Sequence, residues 1–166
     1  REYLPGDERR YIHWKSTART GKYMVRQFEE TRRSHLVVAL SLASSDYGTD
    51  AEFEMAVSVA GSLGARAIRD ARTVSVVASE YTPQFAKRKV FAVRLLSTLT
   101  RSRLLDDLAV VEKSETALSI TDVAKVAGDQ ATGVSVAFLV CGSTVNPQEL
   151  RAASVAFPVG VEVIAI

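Results

Sequence analysis

The stretch His35–Ser79, "HLVVALSLASSDYGTDAEFEMAVSVAGSLGARAIRDARTVSVVAS", decides the fold. Its first eight residues, His35–Leu42, are nearly all apolar, as a strand buried on both faces of a sheet requires. Beyond a loop of Ser, Asp and Gly, the residues Phe53, Ala56, Val57, Ala60, Leu63, Ala67 and Ile68 recur at three- and four-residue spacing. That period predicts a helix with one apolar face. Asp50 is placed to cap its start, and Glu52 and Glu54 suit the positive end of the helix dipole. Gly61 and Gly64 lower helix propensity and predict a close approach of this helix to the sheet. Thr73–Ser79 then returns as a second β-rich run. A helix between two such strands is a crossover connection, and crossovers join parallel strands.

Outward from this unit the alternation continues. A turn is expected near Pro83, and residues 85–99 are ambiguous, with the alternation at Lys89–Leu95 suggesting an edge strand. "TRSRLLDDLAVVE" (100–112) and "ETALSITDVAKVAGDQA" (115–131, ending near Gly128) predict helices. "VSVAFLVC" (134–141) predicts a strand, "NPQELRAASVAF" (146–157) a helix and "GVEVIAI" (160–166) a closing strand. Asn146 as N-cap and Pro147 in the first turn are in favoured places. On the N-terminal side, "KYMVRQFE" alternates like a half-buried strand, with Tyr23 and Val25 on one face and Met24, Arg26 and Phe28 on the other. The expected class is α/β: a doubly wound, mostly parallel sheet with helices on both faces. Residues 1–33 are expected to pack as a segment on a main domain of residues 34–166, one structural unit in all.

Composition narrows the function classes. The 166 residues carry a net charge of only +2, which does not demand nucleic acid. Residues 1–33 hold nine Lys/Arg against five Asp/Glu, so this segment is basic and the remainder slightly acidic. Solvated salt bridges account for such an edge, while an acidic partner, a phosphate or a membrane surface would also suit it. Cys141 is the only cysteine, so no intrachain disulfide exists, and its apolar surroundings read as those of a small core residue. No stretch reaches the roughly 20 apolar residues of a membrane span. The chain starts at Arg1 in dense sequence, and is read as a piece of a longer protein.

In a doubly wound sheet, ligands bind at the carboxyl ends of strands, beside the point where strand order reverses. Here that place is "ALSLASSDYGTD". It has no glycine-rich dinucleotide fingerprint and no phosphate-binding P-loop. The Asp-x-Ser-x-Ser metal-ion-dependent adhesion motif of von Willebrand factor A domains, laid on this position, falls on Ser41, Ala43 and Ser45. The carboxylate and the middle hydroxyl are both missing, so the motif is degenerate and the expected metal is none. Ser44, Ser45, Asp46 and Asp50 are read as caps and turn formers, and with Ser41 as a candidate partner-binding loop. His13, with Asp7 and Ser16, supplies the ingredients of a hydrolytic triad, but at a spacing that seldom assembles one. His13 is instead expected to be a structural hydrogen-bonding residue beside Trp14, and no catalytic residue is assigned. The mixture of Arg9, Arg10, Lys15, Arg19, Lys22 and Arg26 with Tyr11, Trp14, Tyr23 and Phe28 offers nucleic-acid binding as a weaker alternative.

The opening "REYLPGDERRYIHWKSTARTGKYMVRQFE" resembles the signature of the bacterial domain of unknown function number 58 family, and "FEMAVSVAGSLGARAIRD" resembles its actinobacterial branch. The signature positions fall on Arg1, Tyr3, Gly6, Asp7, Arg10, Ile12, His13, Trp14, Ala18, Arg19, Val25 and Glu29. The resemblance implies a von Willebrand factor A-like domain in a membrane-anchored parent protein, exposed on the cytoplasmic face. It also implies a MoxR-type AAA+ ATPase as partner, in the assembly or maturation of complexes; no cofactor is expected. The residues themselves read as a structural latch. Gly6 and Asp7 form a turn, Asp7 caps a short helical segment through "ERRYIHW", Ile12 and Trp14 are apolar anchors, and Arg10, Arg19 and Glu29 supply charged hydrogen bonds.

Overall fold

A computed structural model describes residues 2–4, 12–25, 35–81, 92–130 and 132–166. The chain divides into two compact units, Arg1–Arg32 and Arg33–Ile166.

In the smaller unit three short segments pair around Met24 and Val25. Glu2 bridges Met24 and Ile12 bridges Val25, both antiparallel. Tyr3 N–H donates to Tyr23 C=O and His13 N–H to Met24 C=O, each at 2.7 Å. The one helix among its described residues, α1, spans Trp14–Thr20 and ends at Gly21, whose φ of 71° suits glycine. His13 is its N-cap: the ring Nδ1 accepts the Ser16 N–H at 3.3 Å and lies 2.6 Å from Ser16 Oγ. The expected helix through "ERRYIHW" is therefore corrected at its described end. Ile12 bridges Val25 and the His13 N–H is spent on Met24, so this backbone is used in pairing and the helix begins at Trp14. The expected strand from Lys22 narrows to Met24 and Val25 among the described residues, and Tyr23 is exposed while Val25 is buried.

The larger unit runs β1 (His35–Leu40), α2 (Asp50–Arg69), β2 (Val74–Ser79), β3 (Val93–Leu96), α3 (Arg101–Ala109), α4 (Ile120–Asp129), β4 (Val134–Val140), α5 (Pro147–Val155) and β5 (Glu162–Ala165). The sheet order is β3-β2-β1-β4-β5. All neighbours are parallel except β2 and β3. Period two sorts the strand residues between two cores. Val38, Leu40, Val76, Ala78 and Leu96 meet Phe53, Ala56, Ala60, Leu104 and Leu108 from α2 and α3. Val37, Ala39, Val77 and Leu139 meet Val123, Ala124, Ala153 and Phe157 on the opposite face. A doubly wound sheet results. Leu40 and Leu139 are fully buried, each contributing about 1.5–3 kcal/mol relative to exposure.

Three local expectations are corrected. Thr49, not Asp50, caps α2: its extended backbone lets Oγ1 accept the Glu52 N–H at 3.2 Å, and Asp50 is the first helical residue. The helix expected from residue 115 starts at Ile120. Ser114 exchanges backbone hydrogen bonds with Leu42 and Ser44, and Ala117 bridges Tyr81, so these groups are committed before a helix can form. Gly64 does permit close approach, but chiefly to another helix. A Cβ there would stand 2.5 Å from Leu104 Cδ2 of α3 and 3.1 Å from Val76 of the sheet. β1 connects through α2 to β2 on one side, while its other neighbour is β4. The strand order therefore reverses between β1 and β4.

Candidate functional site

At the carboxyl end of β1 the chain leaves the sheet through Ser41, which is fully buried, and turns through a short 3-10 segment, Ser44–Asp46. That turn drives Asp46 back over the gap between β1 and β4, where it is only 5% exposed. Its Oδ2 accepts the Ser41 hydroxyl at 2.6 Å and the Ile120 N–H at 2.8 Å. Its Oδ1 accepts Ser45 Oγ at 3.3 Å. Ile120 N–H is one of the unpaired donors at the start of α4, so Asp46 serves as a cap from a distant loop. The Ser41 hydroxyl also accepts the Ala43 N–H at 3.2 Å, and the Ser41 carbonyl accepts the Tyr47 hydroxyl at 2.7 Å. Burial, with Cys141 and Asp46 beside it, pushes the Tyr47 phenol well above its ordinary range.

A second loop, after β4, is fastened to the first. Thr144 Oγ1 donates to Ser45 C=O at 2.7 Å. Glu52 of α2 reaches across to accept N–H bonds from Gly48 at 3.1 Å and Ser143 at 3.2 Å, and the Ser143 hydroxyl at 3.0 Å. These backbone donors, Gly48 first and then Ser143, hold the Glu52 carboxyl below the usual carboxylate range. Gly142 lies where the loops cross: a Cβ there would be 2.4 Å from the Asp46 carbonyl oxygen. Cys141 beside it is half-buried and packs against the core on one face of the sheet, and burial followed by the Asp46 charge raises its thiol to about 11. Between the loops is a polar cleft of about 160 Å³, lined among others by Ser45, Asp46, Ser119, Thr121, Thr144 and Glu149.

The candidate loop residues thus divide. Ser41, Ser45 and Asp46 come together in one network, and Ser44 begins the turn that makes it. Asp50 stands apart and pairs with Lys113. Asp46 is both a turn residue and a cap, as its type suggests, but the helix it caps is the distant α4, and it does so as a buried carboxylate that ties β1 to α4. Three of its roughly four acceptor sites are filled by protein donors, which leaves it ill placed as a general base or as the charge-bearing ligand of a divalent ion. Among the described residues no three His, Cys, Asp or Glu side chains group as metal ligands would. Glu52, Ser119, Thr121, Ser143, Thr144 and Glu149 went unread as site residues. The signal available for them was helix-capping chemistry in "SIT" and "STVNPQE", which places hydroxyls and acids at the same end of the sheet.

Of the signature residues, Tyr3, Ile12, His13, Trp14, Ala18, Arg19 and Val25 are described, whereas Arg1, Gly6, Asp7, Arg10 and Glu29 lie outside the described residues. Tyr3 and Trp14 each meet Tyr23 edge to face at 6.4 Å between ring centres. With Ile12 these three rings line a cleft of about 330 Å³. Trp14 is 65% exposed, so the expected apolar anchor forms a wall of an open cleft instead. His13 meets Ser16, but through the nitrogen that caps α1.

Fold and site together define a doubly wound α/β domain whose switch-point carboxylate is tied into its own loops. Residues 1–99, more than half of the chain, match the model of the family described as "Protein of unknown function DUF58", and the chain belongs to that family. The match spans the signature segment and the first three strands. No curated protein matches the chain. No helix among the described residues is long and apolar enough to cross a membrane.

Proposed function

We propose that the chain is a non-enzymatic protein–protein interaction domain of von Willebrand factor A-like type, acting with a MoxR-type AAA+ ATPase in the assembly or maturation of complexes. Its parent would be membrane-anchored, with this domain on the cytoplasmic face. The observation that carries the reading is the network around Asp46. The polar side chains at the switch point act on one another and on backbone N–H groups, so the loop end is a rigid, polar recognition surface rather than a set of poised catalytic groups. The description of DUF58 assigns it no activity. The direct test titrates a purified MoxR-type ATPase against the chain and against Ser45→Arg and Asp50→Arg, both at exposed positions of this end. Saturable binding that weakens about tenfold in either variant supports the reading. No binding, or binding indifferent to both changes, overturns it.

One observation favours a second reading, a hydrolase built on Asp7 and His13: the 2.6 Å contact between His13 Nδ1 and Ser16 Oγ. A fluorophosphonate probe decides it. Covalent labelling lost in both Ser16→Ala and His13→Gln would establish a nucleophile, whereas an unlabelled native chain leaves His13 as a cap. Nucleic-acid binding through residues 9–26 predicts strongly salt-dependent affinity for a generic oligonucleotide, and no binding at low salt removes it.

A further inference from the structure

The smaller unit carries a surface that the strand-end reading does not use. On α1, Trp14, Lys15, Ala18 and Arg19 are exposed, while Ser16 and Thr17 turn inward, half-buried. Thr17 Oγ1 accepts the Met24 N–H at 3.1 Å, which fixes the helix on the paired segment. Trp14 therefore stands with its ring against Tyr23 and its flank open, and a basic stripe of Lys15 and Arg19 runs along the same helix. The cleft of about 330 Å³ beside it has walls of Tyr3, Ile12, Trp14 and Tyr23. Trp14 and Tyr23 are 65% and 59% exposed. Large, rigid aromatic side chains left open in a concave place are the usual anchors of protein recognition.

We propose that this cleft docks an acidic, extended peptide segment of a partner protein, taking an apolar ring or proline between Tyr3, Trp14 and Tyr23 while flanking carboxylates meet Lys15 and Arg19. Charge selects this occupant. Residues 1–32 carry eight Lys/Arg against five Asp/Glu, a basic segment, and among the described residues the one acid, Glu2, is paired with Lys22 at 2.5 Å while Lys15 and Arg19 are exposed. Size selects it too. A cleft of this volume takes one or two side chains rather than the face of a helix, and flat ring walls suit the stiff profile of an extended proline-containing segment. The exposed arginine and lysine supply long-range steering, and the rings supply the desolvated contact.

The test uses the whole chain and a short labelled peptide with a central Phe-Pro flanked by Asp and Glu, read by fluorescence anisotropy at low salt. Two control peptides carry Lys in place of the acids or Gly-Gly in place of Phe-Pro. Vesicles of phosphatidylglycerol form a third arm, read by the emission of Trp14, the only tryptophan in the chain. The expected result is saturable binding of the acidic Phe-Pro peptide, at least about tenfold tighter than either control. Tyr23→Ala and the double change Lys15→Glu/Arg19→Glu should each weaken it by about tenfold, and the double change should keep the urea midpoint of the Trp14 emission, which reports on the smaller unit. Equal binding of the lysine peptide, no binding, or binding unchanged in both variants overturns the proposal. So does a blue shift of Trp14 with vesicles and no response to the peptide, which would make the cleft a membrane contact. The loop-end variants Ser45→Arg and Asp50→Arg are not expected to alter peptide binding, so failure here and failure of the ATPase interaction are told apart.

Discussion

Asp46 is where a single side chain decides most. In Asp46→Ala, the Ser41 hydroxyl and the Ile120 N–H lose their partner inside a buried site. Each orphaned donor costs about 1–3 kcal/mol, so the loss is expected near 3 kcal/mol, or roughly a 6–12 °C lower melting temperature for a domain of this size. Asp46→Asn keeps one acceptor oxygen and should lose about half as much; equal losses, or none, in thermal melts of the two variants would show that the carboxylate is not the tie. The sequence shows Asp46 as a cap or turn former in this loop but not which helix it caps, nor that it is buried. Burial of a carboxylate depends on donors 74 residues away, and no local pattern announces them. Cys141 follows the same logic in its proton. Its thiol titrates ordinarily at 9.0 and in the folded chain at about 11, so its contribution is whole below pH 9 and disappears as pH rises toward 11. Alkylation at pH 8 should be slow for the folded chain and fast in denaturant, and a fast reaction in both would mean the thiol is neither buried nor raised.

Helices and strands were the most legible scale, because their signals are periodic and local. The apolar run of β1, the three- and four-residue spacing of α2 and the Asn146–Pro147 start of α5 needed no tertiary partner to be read. The apolar spacing of residues 115–119 continues that of α4, but Ser114 just before them is bonded through its backbone to Leu42 and Ser44, and Ala117 bridges Tyr81, all from other parts of the chain. The joint between α2 and the loop after β4 shows what such long-range claims do. Glu52 is held ionised by N–H groups of Gly48 and Ser143, so its carboxyl titrates below an ordinary glutamate. A depressed carboxyl contributes stability that is present above its unfolded value and is lost as pH falls through the folded one. Glu52→Gln should therefore be less stable than the native chain at neutral pH, and the difference in urea midpoint should close below about pH 4.5. A difference independent of pH would assign the effect to shape instead of charge. Gly142→Ala tests the same joint sterically: the added methyl meets the Asp46 carbonyl at 2.4 Å, and a loss on the order of 2 kcal/mol is expected in denaturant melts.

Across the whole molecule, the two compact units differ sharply in what holds them. The larger has two apolar cores, one on each face of a five-stranded sheet. In the smaller, Val25 is the buried hydrophobic residue among those described, and its paired segments are short. The described residues of this unit bury little apolar surface to offset the conformational entropy of ordering their chain. Opening free energies within one protein follow this difference, so the smaller unit should open below the global transition. The molecule carries its own reporters for the two events. Trp14, in the smaller unit, supplies the tryptophan emission, while α2 to α5 and every named strand belong to the larger and dominate the far-UV circular dichroism. Urea titration followed by both signals should give an emission midpoint at lower urea and with a shallower slope, since the slope scales with the surface exposed. A chain beginning at Arg33 should keep the circular-dichroism midpoint of the full chain. Coincident midpoints, together with collapse of the shortened chain, would mean that the signature segment is required for the α/β core to stand; separate transitions would make it a recognition element free to order on its partner.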